Sequence, residues 1–224
     1  MKDIPFYVPF AFFISVVATA WFFYRATTGS IKIIYLFVAW MLLQSVIAIT
    51  GFYTVTTSMP PRFIFLVLPP LIIIIILFST AKGCRFVDGL SSKQLVWLHT
   101  VRIPVELVLY WLFVAKQVPQ LVTFEGSNFD ILSGITAVPV AWFGYHKKAF
   151  PRWLLLLWNF ICLLLLLNVV VHAILSAPFP FQVFGFDQPM LAVLYFPYVL
   201  LPGFIVPLVL LSHLVCIRQL VIKP

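Results

Sequence analysis

The stretch that decides the fold is WLLLLWNFICLLLLLNVVVHAIL, residues 153–175. It contains no Asp, Glu, Lys or Arg, and Arg152 stands immediately before it. A helix that crosses a bilayer needs roughly 20 mainly apolar residues, and this run supplies them. Six further segments meet the same test: 5–24, 33–50, 63–80, 95–117, 129–146 and 190–216. The longest connections between them are 51–62, 81–94, 118–128 and 176–189, so no extramembrane domain is expected. The fold class that follows is all-α: a polytopic transmembrane bundle of about seven helices, forming one domain over residues 1–224.

Composition agrees. The chain is 63% hydrophobic and 9% charged, whereas a soluble protein carries roughly a quarter of its residues as charges. Its 24 Phe and 7 Trp suit lipid-facing surfaces and interfacial belts. The net charge of +8 is spread out, with Lys147–Lys148 as the adjacent pair, so nucleic acid is not an expected partner. Cys84, Cys162 and Cys216 are far apart and form no CxxC motif, which predicts packing residues and no metal site. The N-terminal run, with Ala18-Thr19-Ala20 inside it, continues through Trp21, Phe22 and Phe23 to Arg25. That length reads as an uncleaved first helix rather than a signal peptide.

Orientation follows from the basic residues. An external N-terminus puts Arg25, Lys32, Lys82, Arg85, Lys93, Lys147, Lys148, Arg152, Arg218 and Lys223 in the cytoplasm, and only Lys2, Arg62 and Lys116 outside. Ten against three gives a cytoplasmic C-terminus, in a membrane of the bacterial inner type. Prolines mark bends: Pro69–Pro70, Pro104, Pro139, Pro197, Pro202 and Pro207 each remove a backbone hydrogen bond inside an expected span. The last segment is therefore expected to be bent or broken. The aromatic run at 178–189 is expected to cap the outer end.

Ionisable groups inside a bilayer cost about 2.5–3.5 kcal/mol each on insertion scales and usually face a bundle interior or water. The fourth segment holds four polar side chains within one narrow arc: His99, Arg102, Glu106 and Tyr110. Arg102 and Glu106, at i and i+4, are placed to pair along the helix, with Pro104 loosening the backbone between them. An internal salt bridge with no ligand is one reading of this band. A ligand site is the other, with Arg102 holding negative charge and Glu106 or His99 moving a proton.

His213 and His99 count to similar depths near the cytoplasmic face, so a b-type haem between them merits a test. Asn168 and His172 share a face of the sixth segment, and convergence of Glu125, Asp130 and Asp187 on His172 would suit a divalent metal. Asp130 is better placed to cap the fifth helix. Gln44 and Trp40 on the second segment, with Tyr195 and Tyr198 on the last, line the same cavity or tie helices together.

Seven helices with an external N-terminus resemble rhodopsins and receptors in topology alone. A retinal Schiff base needs a lysine in the last helix, and residues 190–216 contain none. Neither HExxH, GxSxG nor a Walker motif is present, so no catalytic residue is assigned. The expected function is a polar pocket for a small molecule or ion, in transport or sensing. It is built from His99, Arg102, Glu106, Tyr110, His213, Gln44 and Asn168. The alternatives are a membrane-embedded enzyme on a lipid or isoprenoid-like substrate, and an accessory subunit that docks a membrane partner through the same stripe.

Overall fold

The computed structural model describes residues 4–222, and every regular element among them is helical. They are α1 (Tyr7–Ala26), α2 (Ile31–Ile49), α3 (Ile64–Ser79), α4 (Ala81–Gly89), α5 (Ser92–Leu98), α6 (Arg102–Val114), α7 (Ile131–Pro139), α8 (Arg152–Leu175) and α9 (Val206–Ile222). A 3-10 turn, His99–Val101, joins α5 to α6 into one span, Ser92–Val114. Pro104 accounts for that turn, because it has no N–H to return to the Thr100 carbonyl. π-Helical turns extend α7 to His146 after Pro139, and open the last span at Leu201–Ile205 around Pro202. Five helices are long and apolar enough to cross a membrane, or six if the bent pair α3–α4 counts as one. This is the build of an integral membrane protein.

Three segments differ from the sequence reading. The expected 81–94 connection is mostly helix α4, turned 95° from α3. Thr80 sits at the corner and its Oγ1 accepts from the Gly83 N–H at 3.1 Å, starting the new helix. The last span begins only at Leu201; residues 190–200 are turns and one short 3-10 stretch.

The fifth segment is the largest departure. Its 9 α-helical and 7 π-helical residues lie beside only half of the Ser92–Val114 span. At one end, Gly134 packs so closely on Ile103 that an added Cβ would lie 2.8 Å from its Cγ1. At the other, Lys93 Nζ meets His146 Nδ1 at 3.1 Å. Arg102, level with the start of α7, is midway along its own span and leans on the Cys162 carbonyl, midway along α8. The helix α7 thus starts level with the middle of its neighbours' spans, Ser92–Val114 and Arg152–Leu175. The expected external connection 118–128 runs down alongside α6 to meet it. Irregular backbone at that depth must find partners inside the protein, and it does: Asn128 supplies them.

Candidate functional site

Asn128 ties the descending segment to the polar face of α6. Its Nδ2 donates to both Glu106 carboxylate oxygens, at 2.8 and 2.7 Å, and to the Val122 carbonyl at 2.9 Å. Its Oδ1 accepts from the Asp130 N–H at 2.9 Å. Asp130 stands at the N-terminus of α7 but makes no side-chain cap. Instead its carboxylate pairs with Arg102 Nη1 at 3.3 Å, without the alignment of a hydrogen bond. Arg102 Nη1 and Nη2 also reach the Cys162 carbonyl at 3.4 and 3.5 Å, and Arg102 Nε has no hydrogen-bond partner among the described residues.

Two expectations are corrected here. Arg102 pairs with Asp130 across to α7, not with Glu106 along its own helix. Asp130 serves as that partner and not as the cap. The reason is geometric: the start of α7 brings a carboxylate against the guanidinium from the side, while Asn128 occupies Glu106. Arg102, Glu106, Asn128 and Asp130 are all buried.

Arg102, Glu106 and Asp130 form one edge of a cavity of about 120 Å³. Its remaining wall is apolar: Phe63 just before α3, Val67 of α3, Leu166 and Val170 of α8, and Leu201 and Ile205 of the π-turn, among others. The volume corresponds to several waters at about 10–15 Å³ each, or to the end of a slender apolar group. Helices α3 and α8 both pack against the last span rather than on each other. Ile174, one of the lining residues, is 40% exposed on the outer surface of the bundle.

Residues 63–221 match a protein family described as Domain of unknown function (DUF8737). The chain belongs to this family. No curated protein and no solved structure matches it. The region shared with DUF8737 starts at the foot of α3 and ends in α9, so it holds the whole cavity wall and leaves α1 and α2 outside.

The other sequence candidates lie elsewhere in this DUF8737 chain. The His99 and His213 rings stack with centroids 3.9 Å apart and planes 18° apart, flanked by Trp158. His213 Nδ1 donates to Asn159 Oδ1 at 3.1 Å, a direction fixed because Asn159 Nδ2 donates to the Leu155 carbonyl. Both His99 ring nitrogens and His213 Nε2 have no hydrogen-bond partner among the described residues. Face-to-face contact leaves no gap for a porphyrin between the rings, so they do not fit as an axial haem pair. Tyr110 packs on Phe124 at 5.0 Å and is not part of the cavity wall.

Gln44 accepts from the Tyr53 hydroxyl beyond the end of α2. Asn168 Nδ2 donates to the Ser127 carbonyl at 2.9 Å, pinning α8 to the residue before Asn128. His172 Nδ1 meets the Asn168 carbonyl at 3.0 Å, and no set of three His, Cys, Asp or Glu residues suited to a metal occurs among the described residues.

Asn128 is the functional residue that sequence reasoning missed. The available signal was Ser127-Asn128-Phe129-Asp130, a polar cluster opening an otherwise apolar segment.

Proposed function

We propose that this protein binds an amphipathic small molecule that enters from the lipid phase, for transport or sensing. The ligand's apolar body lies against α3 and α8, and its polar end meets Arg102, Glu106 and Asp130. One observation carries this reading: the buried charged groups at the start of α7 border a void that is otherwise apolar. A purely structural ion pair would be sealed by its neighbours. The N-terminal end of a half-span helix carries partial positive charge, which together with Arg102 suits an acidic or carbonyl group on the ligand. Glu106 is then the proton-linked or cation-binding group.

The test is Glu106→Gln, which preserves shape and leaves an oxygen to accept from Asn128. The variant is expected to fold, with thermal stability in detergent within about 1 kcal/mol of the parent, a surface-sized change. Mass spectrometry of organic extracts is expected to show co-purified lipid-derived molecules reduced at least tenfold, roughly 1.4 kcal/mol. Unfolding of the variant, or an unchanged extract, would sink the proposal.

An enzyme acting on a lipid or isoprenoid-like substrate is the second reading. It is favoured by the same apolar wall, with Glu106 as acid or base. His99, stacked on His213 and absent from the cavity wall, is not its partner. The accessory-subunit reading needs the stripe on the outside of the bundle, whereas Arg102 and Glu106 are 3% and 2% exposed.

The orientation proposed is seven membrane segments, N-terminus outside and C-terminus cytoplasmic, in a bacterial-type inner membrane. Its support is the clustering of basic loops at one end, joined by Ser91 N–H to the Ala26 carbonyl, Lys93 to His146 and Arg218 to Asp88. A reporter fused after Pro224 is expected to be shielded from reagents added outside intact cells. Labelling from outside overturns the orientation.

A further inference from the structure

A second void, of about 330 Å³, opens between α2 and α3, over Gly203, Phe204 and Pro207 of the last span. All its lining side chains are apolar, apart from the Trp40 indole N–H, and that N–H is already given to the Gly203 carbonyl at 2.8 Å. The groove extends along α2 from Trp40 to Ile33 and along α3 from Pro70 to Leu77. Eight residues of helix on either side, seven rises of 1.5 Å, make it about 10 Å long.

The end at Ile33 and Leu77 differs from the rest. Here α4 turns 95° away from α3 and brings Phe86 to the groove. Phe86 of α4 completes the apolar wall, while Lys82, one turn earlier, and Arg85, beside it, are exposed. Lys32, directly before Ile33, is exposed on the opposite rim. None of these three cations forms an ion pair among the described residues; the acid on α4, Asp88, is engaged by Arg218 at 2.8 and 3.0 Å. The apolar slot therefore ends beside three exposed basic residues.

We propose that this groove is a binding site for an anionic phospholipid, with one acyl chain between α2 and α3 and the phosphate at Lys32, Lys82 and Arg85. The alternative occupant of a lipid-facing groove is a partner helix. The basic groups at its end favour the lipid, because a phosphate pairs with them and the apolar face of a helix does not. A single hydrocarbon chain fits. Juxtamembrane basic groups attract anionic lipid by about fivefold per charge, which selects the headgroup that the apolar groove alone would not. The site is separate from the cavity of Arg102 and Glu106, so either can fail alone.

The experiment equilibrates purified protein with mixed micelles holding equal amounts of phosphatidylglycerol and phosphatidylcholine, and counts retained lipids by native mass spectrometry. The parent is expected to retain phosphatidylglycerol at least tenfold over phosphatidylcholine. Lys82→Gln with Arg85→Gln is expected to bring the ratio close to parity. Ile73→Phe, which fills the groove and keeps every charge, is expected to lower total retention severalfold. Lys147→Gln with Lys148→Gln, exposed at the same end but outside the groove, is expected to change neither quantity. Parity in the parent, a preference that survives loss of Lys82 and Arg85, or an equal loss in the two double variants would overturn the proposal.

Discussion

Asp130→Ala is expected to destabilise the bundle by about 3–5 kcal/mol, the usual cost of removing one partner of a buried ion pair. Arg102 is 3% exposed, its Nε is already unpartnered, and its remaining contact is the Cys162 carbonyl at 3.4 Å or more. Deleting the Asp130 carboxylate leaves a buried guanidinium with no other ion-pair partner among the described residues, since Asn128 occupies Glu106. The double variant Arg102→Met with Asp130→Leu removes both charges and is expected to recover most of the stability, since a buried pair replaced by apolar residues of similar volume is often neutral or better. It is also expected to lose the co-purified ligand. Thermal unfolding in detergent separates the outcomes. A single variant as stable as the parent would mean that water reaches Arg102.

The spans were legible because hydrocarbon imposes both length and apolarity on whatever crosses it. Residues 153–175 therefore read directly as α8. The helix α4 was not legible, because at the membrane interface polar residues are permitted. Lys82, Arg85 and Asp88 give its nine residues the look of a loop. The segment 129–146 reads as a full span since its residues are apolar whether they face lipid or protein. That its helix begins halfway up depends on Asn128 satisfying backbone groups at depth, which hydropathy does not register.

The candidate site was legible in the same uneven way. Helical spacing puts Arg102 and Glu106 on one face, and both border the cavity. Spacing also places Glu106 within reach of Arg102, but the partner is chosen by α7, an element distant in sequence. Counting residues inward puts His99 and His213 at one depth, and the rings stack. Ring orientation, which decides whether they can ligate anything, depends on Asn159 and Trp158 packing around them. Tyr110 sits within the same arc as Glu106, yet the descending segment covers it with Phe124.

That descending segment can be tested at its tightest point. A Cβ added to Gly126 would lie 2.3 Å from the Gln120 carbonyl oxygen and 2.8 Å from the Leu121 Cα. Both are backbone atoms and cannot swing aside as a side-chain tip would. The same turn is closed by Gly126 N–H to the Thr123 carbonyl at 2.9 Å and Asn128 N–H to the same oxygen at 3.3 Å. Gly126→Ala must therefore open the turn and carry Asn128 away from Glu106. Overpacking of this kind costs about 1–3 kcal/mol. The buried carboxylate that loses its donor adds about 1–3 kcal/mol. The expected result is a loss of stability on the order of 2–6 kcal/mol together with loss of the co-purified ligand. Gly89→Ala is the matched control, because a Cβ there meets nothing within 4 Å, and it is expected to be neutral or slightly stabilising. If the two variants unfold at the same temperature, residues 120–128 do not hold Asn128 against Glu106, and the site loses the element that assembles it.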